Sequence, residues 1–341
     1  MIPQEKSAAV TRGVRDAFGV SEFDDIQQIT KGHTNSLVFR IVVRGTPYLL
    51  KIIVRAEDPT RHYACMEAAA EAGVAPRVWH TNVEDKISIT DYVVAEPLAR
   101  REARVRVPAL LRTLHALAPF GRAPFNTTCT FLLHRGAGLT RGPMLEGFLQ
   151  KFRGDKMLPD AECEELFARY AEVSAVYPYE DAEMVASHND LLKPDNLLFD
   201  GQRLWLVDWE AAFLNDRYVD LAMAANQLVA NEEHEKVFLG AYFGAAPDAY
   251  QSARFHLMQQ VSHMFYAMAF LSMGSGGVPI DWSVAAPGYQ EFQLRWWDGE
   301  VNLRHQEVKL AYGRVHWERL LWNVRQSRYK EALQIVADGG R

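Results

Sequence analysis

Residues 187–200 read SHNDLLKPDNLLFD, and residues 204–210 read LWLVDWE. Asp190, Asn196 and Asp208 stand here among apolar runs with the character of buried strands. Asp and Asn are poor strand formers, and they cost free energy when buried without partners. Their presence points to a place that needs carboxylates and an amide close together. Asp190 falls in a loop, six positions before Asn196, and Asp208 ends a strand that follows a short hairpin turn at Asp200-Gly201. A loop and an adjacent strand end can bring a carboxylate and an amide oxygen together. Hard oxygen ligands of that kind suit Mg²⁺, which takes its remaining ligands from water and phosphate. Asp190 is then free to accept a proton from an attacking hydroxyl.

Upstream, Lys51 interrupts the apolar strand YLLKIIV, where a charged tip is costly unless an anion is near. The polar stretch TKGHTNS at 30–36, with Gly32 inside it, precedes the strand LVFRIVV. A base, metal ligands, a lysine and a glycine-bearing loop make a phosphoryl-transfer set. IQQI, LVFRIVV and YLLKIIV read as strands, with turn residues RGTP at 44–47 between the last two. A helix is predicted from about Thr60 to Ala72, stopped by Gly73, and a further strand begins at Ile87 and ends before Glu96-Pro97. Beyond Pro97 the period changes to helical over 107–118, 141–152, 160–177, 217–230, 232–243, 247–272 and 302–337. The stretch 274–287 is rich in Gly and Pro and reads as a loop. The expectation is an α+β, two-lobe chain. Residues 1–92 form a small antiparallel β lobe with one helix, and residues 93–341 form a larger, mainly helical lobe carrying the polar loop.

The chain has 341 residues, 48% of them apolar and 23% charged, which fits a folded protein and excludes a largely disordered one. A net charge of −6 makes nucleic acid a poor partner and leaves room for a cationic small molecule. The basic run RREARVR at 100–106 reads as a solvated helix face. Cys65, Cys129 and Cys163 lie far apart with no CxxC pair, which suggests neither zinc nor a disulfide framework and fits a reducing compartment. No signal-peptide pattern opens the chain, and HMFYAMAFLSM at 263–273 is too short to span a bilayer. A cytoplasmic protein without a membrane partner is expected.

The run HND…N…VDWE…D…DLA, covering His188, Asp190, Asn196, Asp208, Asp216 and Asp220, resembles the aminoglycoside and choline phosphotransferase superfamily, whose fold is that of the protein kinases. The loop KGHTNS resembles the phosphate-covering loop of choline kinases. The resemblance runs from about residue 25 to about 225. It implies ATP and Mg²⁺ as cofactors, with Asp190 as catalytic base and Asn196 and Asp208 as metal ligands. It implies Lys51 on the α- and β-phosphates, with Gly32, Thr34 and Asn35 over them. The hinge that reads adenine would run from Asp91 to Val93, and His188 and Asp220 would brace the catalytic loop.

Two departures stand out. Five residues, Leu191 to Asp195, separate the base from the metal-binding Asn, where the family usually has four. The loop bulges by one residue, or Asp195 takes some of the coordination. The second concerns the helical glutamate that kinases pair with the lysine: that position falls near Arg61 and His62, and Glu67 comes more than a turn later, so either the helix register differs or the pair is absent.

The resemblance implies a kinase of a small-molecule alcohol. Choline or a related cationic amino alcohol is favoured by the Thr-Asn loop and by HNDLL…DWE. An aminoglycoside-type phosphotransferase, with a wide carboxylate-lined pocket, is one alternative, and a nucleotide-binding module without turnover is another. Phe265, Tyr266, Phe270, Trp282, Trp296 and Trp297 could cage a quaternary ammonium or could be core. The sequence leaves the oligomeric state open.

Overall fold

The computed structural model describes residues 2–29, 36–54, 58–118, 120, 152–154, 157–178, 184–191, 194–278 and 280–339. Gly32, Thr34, Asn35, Cys129 and most of the helix expected at 141–152 lie outside them. The chain is α+β, with a five-stranded antiparallel sheet near its start and helices through most of the rest. By packing it falls into two compact units. One comprises residues 1–99, 113–121 and 186–214, and the other 100–112, 122–185 and 215–341.

In the first unit, α1 (Gln4–Phe18) precedes β1 (Asp25–Ile29), β2 (Ser36–Val43) and β3 (Thr46–Ile53). Then come α2 (Thr60–Glu71), β4 (Val78–Asn82) and β5 (Ile87–Asp91). The sheet order is β1-β2-β3-β5-β4. Alternation decides the faces: Phe39, Ile41 and Val43 of β2 and Leu50 and Ile52 of β3 are buried in one apolar core with Val10 and Val14 of α1. Lys51 therefore points to the opposite face, in register between Val38 and Ser88. The β2–β3 turn is two residues, Arg44 and Gly45, both with positive φ (51° and 77°), the primed turn that matches strand twist.

The same unit takes in the polar loop. It follows β6 (Met184–Ser187) and passes through a 3₁₀ turn at Pro194–Asn196 into the hairpin of β7 (Leu197–Phe199) and β8 (Leu204–Leu206). Asp200 Oδ1 closes the hairpin by accepting from the N–H of Gln202 (2.9 Å) and Arg203 (2.6 Å). A second 3₁₀ turn, Trp209–Ala211, leads to β9 (Phe213–Asp216).

The second unit is built on α3 (Arg100–His115, of which 100–112 belong here), α4 (Asp160–Val176), α5 (Arg217–Leu228) and α6 (Glu232–Phe243). It continues with α7 (Ala249–Ser275), α8 (Tyr289–Trp297), α9 (Gln306–Val324) and α10 (Ser327–Ala337). Helix α5 is buried from Tyr218 to Leu228 on every side. The 27-residue α7 is its main neighbour and also carries α9 and α10. Close approach of α7 and α9 depends on two glycines. A Cβ on Gly274 would lie 2.4 Å from the Leu310 nitrogen, and one on Gly313 would lie 2.6 Å from the Leu271 nitrogen.

Three readings need correction. Helix α3 starts at Arg100, seven residues before the expected start, and runs through Pro108. Its basic run is not simply a solvated face. Arg100 Nε and Arg104 Nε donate to the carbonyls of Gln227 (2.5 Å) and Leu228 (2.8 Å), at the end of α5 where the helix dipole favours cations. The helix expected over 302–337 is two helices, with a break at Arg325 and Gln326.

The helical unit also buries His256, His263 and His316. His263 Nδ1 lies 2.8 Å from His316 Nδ1, and Gln293 Nε2 lies 3.3 Å from His316 Nε2. Gln293 can only donate there, so the shared proton belongs to His316 Nδ1. Burial pushes His256 and His316 down to about 3, and burial together with His316 pushes His263 down as well. In the unfolded chain these imidazoles return to about 6.5. The unfolded state then takes up protons first as the pH falls, so the contribution present above about pH 6.5 is lost toward acid. For His256 alone that loss is about 2 kcal/mol at pH 5. The melting temperature should fall steadily between pH 7.5 and 5, and a flat profile would contradict the burial of neutral rings.

Candidate active site

The polar loop brings Asp190 and Asn196 together. Asn196 Nδ2 donates to the Asp190 backbone oxygen at 2.7 Å and to Asp190 Oδ2 at 3.1 Å. The extra residue in the loop does not part them, since the 3₁₀ turn at 194–196 returns the amide to the carboxylate. Asp195 is exposed. With Nδ2 spent on Asp190, the Asn196 oxygen is the end of the amide that can face a cation. The Asn196 carbonyl accepts from Val207 N–H at 3.1 Å, which joins this turn to the residue before Asp208.

Asp208 and Lys51 also meet. Lys51 Nζ lies 2.9 Å from Asp208 Oδ1 and 2.9 Å from Glu210 Oε1, with both partners largely buried. Burial opposes the Lys51 charge, but the Asp208 and Glu210 carboxylates outweigh it and raise its pKa. Asp208 has φ 68° and ψ 68°, a left-handed backbone that a non-glycine residue adopts at a cost, and Asn189 has φ 62°. Asn and Asp are the residue types that bear such a conformation most readily.

His188 is fully buried. Its Nδ1 accepts from Asp190 N–H (3.3 Å), so its Nε2 carries the proton and donates to the Val207 carbonyl (2.9 Å). The ring packs edge-on against Trp209, with centroids 4.9 Å apart. These contacts hold the loop against the strand end. Asp220 is buried on α5 in the helical unit.

Three side chains at this site carry no role in the sequence reading. Glu210 is the second partner of Lys51, where kinases use a helical glutamate. Glu67 is occupied elsewhere, accepting from Thr81 Oγ1 at 2.6 Å. Arg61 of α2 donates to the carbonyls of Ala212 and of Glu210 (3.0 Å). Asn189 Nδ2 reaches the carbonyls of Ala211 (3.2 Å) and Phe213 (3.3 Å). Two signals were available: the Glu two places after Asp208, and an Arg where the helical acid is missing. His62, beside Lys51, is pushed down to about 4 by burial and by that ammonium, and so adds no charge at neutral pH.

At the expected hinge, the Asp91 N–H is taken by the Arg77 carbonyl (2.9 Å) and its Oδ1 by Trp79 Nε1 (2.7 Å). Val93 is half-buried, two residues after the end of β5.

Among the described residues, no cluster of three or more His, Cys, Asp or Glu is placed to hold a metal by itself. An amide oxygen and a carboxylate, completed by phosphate and water, still fit Mg²⁺, which seldom has an all-protein cage.

The sequence pattern of the phosphotransferase enzyme family matches residues 25–256. The chain belongs to that family. No curated protein sequence matches this phosphotransferase significantly. Among solved structures it is similar to a choline/ethanolamine kinase family protein from Mesorhizobium loti, at TM-score 0.66 and 17% identity over 98% of this chain and 100% of that one. It is also similar to the choline kinase LicA from Streptococcus pneumoniae, at TM-score 0.57 and 14% identity over 94% and 99% of the two chains. A spectinomycin phosphotransferase bound to AMP aligns at TM-score 0.51 and 12% identity over 89% and 98%. At such identities these likenesses establish the kinase-like fold. No helix among the described residues is long and apolar enough to cross a membrane.

Proposed function

We propose that this phosphotransferase moves the γ-phosphoryl group of ATP to a hydroxyl of a small molecule, favouring choline or a related amino alcohol. The observation that carries the reading is the pairing of Asn196 with Asp190 and of Lys51 with Asp208, all within one compact unit. Asp190 accepts the proton of the acceptor hydroxyl as its oxygen attacks the γ-phosphorus, and ADP leaves. Lys51 offsets negative charge on the α- and β-phosphates. Asn196 and Asp208 hold Mg²⁺, which when bound neutralises charge on the phosphate oxygens. Gly32, Thr34 and Asn35 cover the phosphates. The adenine edge is read at the hinge by the Asp91 carbonyl, already touched by Thr90 Oγ1 at 3.4 Å, and by the Val93 N–H. Residues 1–92 serve the nucleotide, and residues 93–341 supply the catalytic loop and the acceptor site.

The amino-alcohol preference is supported by the Thr34-Asn35 loop, by the HNDLL…DWE pattern and by likeness to choline kinase structures. The aromatic residues lend it less. Tyr266, Phe270 and Trp296 pack around Tyr312 in the core of the helical unit, and Arg314 already lies over Trp282 (5.2 Å). ADP release should be measured with Mg²⁺ against choline, ethanolamine and kanamycin. Turnover on the first two is expected. Turnover on kanamycin alone would transfer the acceptor assignment to the antibiotic class. ATP binding with no turnover on any alcohol would make the chain a binding module.

A further inference from the structure

The carbonyls of residues 210 to 213 each accept from a side chain. Arg61 takes Glu210 and Ala212, and Asn189 takes Ala211 and Phe213. Cys65, one turn after Arg61 on the same face of α2, places its Sγ 3.8 Å from the Ala212 carbonyl. The Arg61 guanidinium also stands 6.0 Å from the centre of the Phe213 ring. The segment so held follows closely on the left-handed Asp208 and contains Glu210, so one partner of Lys51 lies just before it and the other belongs to it. Four consecutive carbonyls fixed by side chains exceed what a short 3₁₀ turn needs for its own hydrogen bonds.

From this we infer that Arg61 is a positioning residue: α2 sets the metal-binding turn at 208–212 by donating its guanidinium fork to that turn's backbone, and the Lys51 counter-charge comes from Glu210 of the turn itself. A helical glutamate would tie α2 to the lysine directly. Here the tie runs from helix to turn through Arg61 and from turn to lysine through Glu210. A planar, five-donor guanidinium can satisfy two carbonyls two residues apart, whereas an ammonium is a point charge that cannot span them as a fork. The inference rests on the proposed phosphotransfer only for its kinetic consequence. The structural consequence, a turn that loosens when the fork is removed, stands apart from it.

The test uses the full chain with Arg61→Ala and Arg61→Lys. The Mg²⁺ concentration for half-maximal rate should rise by about 10- to 100-fold in Arg61→Ala, the usual cost of losing a group that orients metal ligands. ATP binding without metal should change by less than about twofold, because Lys51 is untouched. Amide exchange at 209–213 should quicken in Arg61→Ala while exchange in β2 and β3 stays unchanged. Arg61→Lys, keeping the charge and losing the fork, should recover only a small part of the Mg²⁺ dependence. An unchanged Mg²⁺ requirement with unchanged exchange at 209–213 would overturn the inference. So would full recovery by lysine, which would show that charge alone matters. A loss of activity matching only the loss of folded protein would reduce Arg61 to a stability residue. If the wild-type chain turns over no alcohol at all, the functional reading fails, and the exchange experiment still decides the role of Arg61.

Discussion

Replacing Asp190 with Asn is expected to lower turnover by about a thousandfold and to leave ATP affinity within about twofold, in line with the usual contribution of a general base. The substitution is nearly isosteric. The 2.7 Å bond from Asn196 Nδ2 ends on the Asp190 backbone oxygen, so it survives the change. The N–H of residue 190 still reaches His188 Nδ1, and the loop keeps its attachment to Val207. What disappears is the oxygen able to take a proton, since an amide cannot act as a base near neutral pH. Calorimetric titration with ATP and a coupled ADP assay on the same preparation separate binding from chemistry. If the variant keeps most of its turnover, another group accepts the proton and the assignment of Asp190 is wrong. If ATP binding falls in parallel, Asp190 holds the site together and does not act on the hydroxyl.

The sequence showed the site wherever function rests on side-chain type at fixed spacing, and concealed it wherever side chains grip backbone. Asp190, Asn196, Asp208 and Lys51 stand out because polar groups interrupt apolar strands. Asn189 binds carbonyls, and carbonyls belong to every residue, so no pattern of neighbours announces it; Arg61 shows only as an Arg where the helical acid is missing, which does not reveal that it grips backbone. In the fold, β2 and β3 were legible as short apolar runs joined by the turn residues RGTP, whereas β4 (VWHTN) was missed. It is an edge strand whose five residues are all half-buried, so its two faces do not differ enough to read. The break after Val324 was hidden because neither Gly nor Pro marks it: Arg325 stays in the right-handed helical region and the next helix starts at Ser327. The start of α3 was also placed too late: the helix begins at Arg100, runs through Pro108 and is fastened one turn before that proline by Arg104, which binds the end of α5.

Removing the carboxylate of Asp208 should separate metal-dependent from metal-independent nucleotide binding. With Mg²⁺ present, Asp208→Ala is expected to weaken ATP binding by about 10- to 100-fold, the range for loss of an ordering group at a metal site. Without metal, binding should hold or tighten. In this structure Asp208 occupies one side of the Lys51 ammonium, at 2.9 Å, in the position of a competitor for phosphate. Taking it away leaves Glu210 as the remaining counter-charge among the described residues and makes the amine more available to an incoming anion. Alanine bears the left-handed backbone at φ 68° less well than aspartate, so part of its effect could arise from a shifted turn. Asp208→Asn controls for that, because it keeps a residue at home in that conformation and removes only the charge. Both variants should lose the Mg²⁺-dependent part of ATP affinity, and the Asn variant should do so with a melting temperature close to that of the wild type. Equal weakening with and without Mg²⁺ in the Asn variant would show that Asp208 serves the nucleotide through Lys51 or through the fold, and would end its assignment as a metal ligand.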